Sequence, residues 1–161
     1  GFEALKKDEL FCAKNGEIIS DKLHGQMPSS AIIRIENPDT ESLDLNLFSR
    51  NYVIARGFAI SYEKYTKRLR IDRSDLTNQL NVEYGTDRQI ILENGLTSMD
   101  IFVDHSTVEI FVNEGEYVLS ARIFPTKEEH MIRMGGKNLN LSIWSTEPSV
   151  DDAPVFFAEN Q

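Results

Sequence analysis

The chain contains little cysteine, tryptophan, histidine or basic charge. One cysteine and one tryptophan occur among its 161 residues. The single cysteine, Cys12, cannot form an internal disulfide, so a reducing, cytoplasmic compartment is predicted. Acidic residues number 26 against 17 basic ones, and the resulting net charge of −9 repels nucleic acids and anionic membranes. We therefore expect no nucleic-acid or membrane partner, whereas neutral sugars and protein surfaces remain open as partners.

Long apolar runs are also absent, and with them any signal-peptide or transmembrane pattern. The three histidines, His24, His105 and His130, lack the spacing of a metal site and are predicted to be solvated loop residues. We expect neither a metal nor a cofactor. The length suits one domain, residues 1–161, able to bury roughly two thirds of its unfolded surface.

Short alternating runs separated by turn signals extend along the chain, whereas helical periodicity is scarce. This pattern predicts an all-β fold, a two-sheet antiparallel β-sandwich of the concanavalin-like or jelly-roll-like kind. The predicted strands include 18–23, 31–35, 43–47, 58–62, 69–71, 90–92, 132–134 and 139–143. Residues 74–87 are predicted to form a long loop with one irregular strand near 80–82. Residues 146–161 are predicted to form a tail, with 155–157 docking on the body.

The most regular alternation, in residues 99–125, predicts three further strands in succession. Pairing the last two across a turn at Glu114 and Gly115 sets Ile110 opposite Leu119 and collects the apolar residues on one face. That face is predicted to form the core.

Carboxylates on these strands and turns could suggest an acid/base pair. The candidates are Asp72, Asp100, Asp104 and Glu109. The predicted register places Glu109 opposite Ser120 and diagonal to Arg122, so an ion pair on the outer face explains it better than catalysis. We predict no catalytic residue in this chain.

Aromatic residues are the remaining candidates for a functional surface. Phe102, Phe111, Val118 and Phe124 are predicted on the face opposite the core, where an isolated sandwich is ordinarily polar. Trp144 is a separate candidate for stacking on a sugar. In order of preference, the predicted cover of this face is the chain's own loops or tail, another domain, or a carbohydrate. Because the sequence pattern shows no converging polar groups beside these rings, weak or no binding of free sugar is predicted.

Residues 103–125 resemble the segment by which the C-terminal β-sandwich of glycoside hydrolase family 32 is usually recognised. The residues that fit the family's hairpin are Val103, Asp104, Ser106, Val108, Glu109, Ile110, Phe111, Val112 and Asn113. His105 stands where arginine is common. Upstream, residues 69–74 resemble the family's preceding strand and Asp-Arg-Ser turn, and residues 2–6 resemble the start of the sandwich.

Members of that family carry their chemistry in an amino-terminal five-bladed β-propeller with Asn-Asp-Pro-Asn-Gly, Arg-Asp-Pro and Glu-Cys motifs. None of these motifs occurs here, since residues 36–39 lack the Asp between Asn and Pro, and Cys12 follows Phe11. The resemblance implies a non-catalytic C-terminal module of a β-fructofuranosidase, in particular a sucrose-6-phosphate hydrolase cleaving terminal β-fructosyl bonds with two propeller carboxylates.

The implied partner is the catalytic propeller, which the module would stabilise, and self-association is a further expectation. The alternative is a stand-alone, lectin-like carbohydrate-binding module. Its interface or sugar-stacking residues would be Phe102, Phe111, Phe124 and Trp144.

Overall fold

In the computed structural model, the described part of the chain consists of β-strands joined by turns and loops. The structure describes residues 6, 9–13, 23–36, 38, 40–51, 54–79, 85–136, 138–146 and 156–158. Within these ranges no helix is long and apolar enough to cross a membrane. The strands are β1 (Glu9–Ala13), β2 (Leu23–Gln26), β3 (Ser30–Glu36), β4 (Ser42–Ser49), β5 (Phe58–Glu63), β6 (Arg68–Asp72), β7 (Asp87–Ile91), β8 (Ser98–Asp104), β9 (Thr107–Val112), β10 (Tyr117–Arg122), β11 (Met131–Gly135), β12 (Asn140–Ser145) and β13 (Phe156–Ala158).

The strands form two antiparallel sheets, which confirms the predicted β-sandwich. Sheet A has six strands in the order β1-β12-β3-β8-β9-β10. Sheet B has seven strands in the order β13-β2-β11-β4-β5-β6-β7. Each sheet turns one apolar face to the core, so the opposite face of each is left for other contacts.

The alternation in β4 shows how the sequence builds this core. Leu43, Leu45 and Leu47 are buried, and they pair with apolar residues of β5 that face the same way. Asp44 and Asn46 lie between them and project to the outer surface of sheet B. Because side chains of a strand point alternately to opposite faces, one segment supplies both core and outer surface.

The predicted hairpin register is confirmed. Ile110 pairs with Leu119, and both side chains are buried. The connection from β9 to β10 contains Asn113, Glu114 and Gly115, with φ angles of 52°, 58° and 92°. Asparagine and glycine adopt this left-handed region more readily than most residues, which suits them to the turn. The side chain of Asn113 also accepts the Thr97 N–H at 2.7 Å, which ties the turn to the segment before β8.

Seven of the other predicted strands coincide with observed ones, namely β3, β4, β5, β6, β7, β11 and β12. Of 18–23 only Leu23 is described, as the first residue of β2, and the irregular strand predicted near 80–82 lies outside the described residues. The alternation predicts neither β1 nor β13. Both lie at the edge of a sheet, where β1 pairs with β12 and β13 pairs with β2. Their hydrogen bonds to these neighbours identify them as strands, because their sequences show no clear apolar-polar alternation.

A buried carboxylate links two loops at one end of the sandwich. Glu129 is 1% exposed and accepts the backbone N–H groups of Thr77 and Thr126, each at 2.9 Å. The Thr77 hydroxyl also donates to the same carboxylate at 3.3 Å. Glu129 therefore ties the loop after β6 to the loop after β10.

Candidate functional site

The outer surface of sheet A, which we call the aromatic face, carries aromatic and charged side chains in two rows across the strands. One row consists of Trp144, Ile32, Phe102 and Glu109. The neighbouring row consists of Arg34, Asp100, Phe111 and Val118. Five of these eight residues are apolar or aromatic, so this face differs from an ordinary solvated sheet surface.

Phe102 and Phe111 form an edge-to-face pair at the centre of the aromatic face. Their ring centroids are 5.5 Å apart and the planes are at 85°, a geometry that aromatic pairs prefer. Ile32, opposite Phe102, is only 1% exposed although it lies outside the core. Val118, opposite Phe111, is 51% exposed. The face is therefore covered at its centre and open toward the β10 edge.

Trp144 lies on the same face but contacts a different part of the chain. The Lys6 ammonium is 3.7 Å from the centroid of the Trp144 ring, which is a cation–π contact. Trp144 also pairs with Ile32 across β12 and β3. Lys6, a residue of the same chain, therefore covers part of this face.

Phe124 does not join the aromatic pair. The predicted third strand extends to Phe124, but β10 ends at Arg122, and the Ile123 N–H donates to the Ser106 carbonyl at 2.8 Å. The Arg122 guanidinium instead lies over the Phe124 ring at 5.6 Å from the centroid. The structure therefore assigns Phe124 to the loop after the sheet.

Arg34 connects three carboxylates beside the aromatic pair. It donates to Glu36 at 2.7 Å, to Glu114 at 2.8 Å, and to Asp100. Burial alone would lower the pKa of Arg34, but the hydrogen bonds to Asp100, Glu114 and Glu36 raise it overall. The hydrogen bond from Arg34 also lowers the pKa of Glu114. Arg34 therefore links the three carboxylates into one charged cluster beside the aromatic pair.

This charged cluster corrects one part of the sequence analysis. Arg34, Asp100 and Glu114 line a groove of about 450 Å³ together with Phe102 and Phe111, so polar groups do converge beside the rings. The sequence holds one local signal that the outer side of this strand is covered, because the apolar run at 31–33 indicates a strand buried on both faces. Asp100 and Glu114 lie 66 and 80 positions from Arg34 in sequence, so local pattern could not identify them as its partners.

A second concavity, the sheet B groove, lies on the outer surface of sheet B and encloses about 380 Å³. Four adjacent strands, β11, β4, β5 and β6, supply two rows of residues to it. The first row is Arg133, Asn46, Ala59 and Asp72, and the second is Gly135, Asp44, Ser61 and Arg70. Arg56, just before β5, completes the wall. Of this set, Asp72 is one of the carboxylates that the sequence marks as candidates, and Arg70 and Asp72 both belong to the family-like segment 69–74.

Asp72 organises one wall of the sheet B groove. It is 5% exposed and lies 3.2 Å from an Arg70 nitrogen and 3.6 Å from an Arg56 nitrogen. Its other oxygen accepts the Ser74 N–H at 2.8 Å. Arg70 also donates to Asp87 at 3.0 Å. Through these contacts Asp72 ties the start of the loop after β6 to Arg56 and Arg70.

The ion pair predicted between Glu109 and Arg122 is not formed. Glu109 is exposed opposite Ser120, as the register predicted, but the Arg122 guanidinium stacks over Phe124 instead. The described stretches also contain no group of three or more histidine, cysteine, aspartate or glutamate side chains able to hold a metal ion.

His105 fits the prediction of a solvated loop residue, whereas His24 and His130 do not. His105 is an exposed turn residue, 3.7 Å from Asp104. His24 lies in β2 rather than in a loop. His130 is the last loop residue before β11, but its Nδ1 atom is buried without a hydrogen-bond partner.

Comparison with known proteins gives a consistent match. Residues 12–145 match the family model described as glycosyl hydrolases family 32 C terminal. The sucrose-6-phosphate hydrolase of Streptococcus mutans is 36% identical over 95 residues, which are 58% of this chain and 19% of that protein. The sucrose-6-phosphate hydrolase of Bacillus subtilis is 31% identical over 139 residues, which are 82% of this chain and 27% of that protein.

Solved structures agree in fold. The sucrose-6-phosphate hydrolase from Lactobacillus gasseri superposes with a TM-score of 0.74 at 25% identity, over 91% of this chain and 29% of that one. The exo-inulinase from Aspergillus awamori gives 0.73 at 16% identity, over 91% and 32%. The chain thus spans less than a third of each of these proteins. The sequence resemblance and the β-sandwich are confirmed together, and the chain belongs to the C-terminal domain family of the glycosyl hydrolases family 32.

Proposed function

We propose that the chain is the non-catalytic C-terminal module of a β-fructofuranosidase of the sucrose-6-phosphate hydrolase kind, and that it stabilises the catalytic propeller domain by docking against it. The observation that carries the proposal is the match of residues 12–145 to a C-terminal family model. The Bacillus subtilis relative supports it, because this chain corresponds to 27% of that enzyme. The remaining length of such an enzyme is available for a catalytic domain.

The chemistry of the described carboxylates supports a structural role. A glycosidase of this kind needs one carboxylic acid whose pKa is raised so that it can protonate the leaving group. Here hydrogen bonds from Gln89 and Arg70 lower the pKa of Asp87, and one from Arg34 lowers that of Glu114. Such groups are poor proton donors at neutral pH.

We propose the aromatic face as the docking surface, with the catalytic domain of the same polypeptide as its occupant. Phenylalanine is enriched in protein interfaces, and Phe111 with the half-exposed Val118 forms an apolar patch that a protein surface would cover. Lys6, on the N-terminal side of the module, lies over Trp144 on this face. The first described residue of the chain thus lies at this face, which supports an N-terminal domain as its occupant.

A chimeric enzyme tests the proposal. The chain would replace the matching C-terminal segment of the Bacillus subtilis sucrose-6-phosphate hydrolase. Two properties of the chimera would be measured, its hydrolysis of sucrose 6-phosphate and its unfolding temperature. The chimera should be active, whereas the 161-residue chain alone should hydrolyse neither sucrose nor its 6-phosphate. Val118→Asp should lower the unfolding temperature of the chimera while leaving that of the isolated chain nearly unchanged, because Val118 is half-exposed there.

Glu63→Gln is the matched control, since Glu63 is an exposed strand residue on sheet B. It should leave the chimera unchanged. Activity of the isolated chain that disappears when one of its own carboxylates is changed would refute the non-catalytic role. A chimera indifferent to Val118→Asp would refute the docking surface.

We also propose a cytoplasmic location and self-association of the parent enzyme. The location is supported by Cys12, which is a free, exposed thiol suited to a reducing compartment. Cell fractionation with an antibody to the chain tests the location, and light scattering of the chimera tests the self-association.

A further inference from the structure

The sheet B groove is built by side-chain size and register together. Its floor consists of small residues, Ala59, Ser61 and Gly135, at the centre of the sheet. Longer polar side chains surround them on the adjacent strands. Because neighbouring strands lie about 4.8 Å apart, the walls present polar groups at regular, closely spaced positions. The result is a preformed concavity with hydrogen-bonding groups on several sides.

Two polar side chains in this groove have no hydrogen-bond partner among the described residues. The side chain of Asn46 forms no hydrogen bond with the described residues although Asn46 is only 6% exposed. The Asp44 carboxylate, one alternation away on β4, likewise forms neither an ion pair nor a hydrogen bond within the described ranges. The Asn46 amide is not among the buried unpartnered atoms of the described residues, so it opens into the groove, where it can pair with a ligand that supplies both a donor and an acceptor.

The charges of the groove select the class of that ligand. Asp72 and Asp87 already neutralise Arg70, and Asp72 also lies beside Arg56. Arg133 also lines the groove, so three arginines are balanced by Asp44, Asp72 and Asp87, and no net charge favours a phosphate or another carboxylate. A hydroxyl group suits the site better, because it can donate to Asp44 and accept from Asn46 or from the remaining guanidinium N–H groups.

We propose that the sheet B groove binds one ring of a neutral carbohydrate, held through its hydroxyl groups by Asp44, Asn46 and Arg70. A volume of about 380 Å³ is in the lower part of the range of small-ligand sites and suits a single sugar unit. The apolar edge of the ring would lie on Ala59 and the aliphatic stem of Arg70. The groove is on the sheet opposite the aromatic face, so the binding does not depend on the proposed docking.

The test is a titration of the ¹⁵N-labelled chain with fructose, sucrose and a short inulin-type fructan, followed by NMR. Saturable shifts should appear at the side-chain amide of Asn46 and at the backbone of β4 and β5. Comparing the affinity for fructose with that for the fructan shows whether the groove binds a free sugar or the end of a longer carbohydrate chain. Asp44→Asn and Asn46→Ala should each weaken binding about tenfold, the effect of losing one hydrogen bond to a charged or deeply placed group.

Glu63→Gln is again the matched control, because Glu63 is an exposed carboxylate on the same sheet outside the groove. It should bind sugar as the unaltered chain does, and circular dichroism should show all variants folded. Absence of saturable shifts with every sugar would overturn the proposal. So would binding that is lost in Phe111→Ala but unaffected by both groove variants, or saturable binding of inorganic phosphate in place of sugar.

Discussion

Replacing Ile110 by alanine is the most direct test of the hairpin at the centre of sheet A. Ile110 lies in β9 between Ile101 of β8 and Leu119 of β10, and none of its surface is exposed. All three side chains face the core. The substitution would therefore remove carbon atoms from the middle of a packed layer, where neighbours can collapse only partly.

The expected size follows from the atoms removed. Isoleucine has three more side-chain carbons than alanine, and at about 0.8 kcal/mol for each buried CH₂ their transfer alone is worth roughly 2.4 kcal/mol. The cavity left behind brings the total loss in unfolding free energy to about 3–4 kcal/mol. For a domain of this size each kcal/mol corresponds to about 2–4 °C, so the unfolding temperature should fall by about 6–16 °C.

Urea unfolding followed by fluorescence of the single tryptophan, Trp144, would measure this loss. Glu109→Ala is the matched control, because Glu109 is the preceding residue of β9 and is exposed on the other face. It should change the unfolding free energy by less than about 0.5 kcal/mol. If Ile110→Ala were no more costly than this control, with an unchanged urea dependence, the burial and register assigned to β9 would be wrong.

Three further predictions concern a buried carboxylate, a glycine and an exposed ion pair. Glu129→Ala should lower the unfolding free energy by about 2–4 kcal/mol in urea, since two loop N–H groups lose a charged acceptor, and a loss below about 1 kcal/mol would contradict this. Gly57→Ala should lower the unfolding temperature far more than Gly85→Ala. Both glycines have positive φ, but a Cβ at Gly57 would clash with the backbone oxygen of Leu47, whereas at Gly85 nothing lies within 4 Å. Equal effects would rule out the clash. The folded-state pKa of Glu114 lies below its ordinary value of 4.5 because of Arg34, so its stabilising contribution is present above that pH and is lost as the pH falls through the folded pKa. Glu114→Gln should therefore be less stable than the unaltered chain near neutral pH and equal to it in acid, and a difference independent of pH would disprove the linkage.

Local alternation carried most of the information about the fold. The periods in β4 and in β8 to β10 determined which side chains enter the core, because a strand has only two faces and one of them must exclude water. The same periods determined the pairing of Ile110 with Leu119, since a one-residue slip would expose every apolar side chain of the hairpin. The family resemblance of residues 103–125 rests on this same stretch.

Tertiary structure alone decided which strands became neighbours, and therefore both outer surfaces. Arg34 meets Asp100 only because β3 lies beside β8, and Asn46 lies between Arg133 and Ala59 only because β4 lies between β11 and β5. Strand order depends on the summed packing of segments far apart in the chain, which no local period encodes. The sequence by itself therefore determined the β-sandwich and its core residues, whereas the aromatic face with its charged cluster and the sheet B groove were decided by the fold.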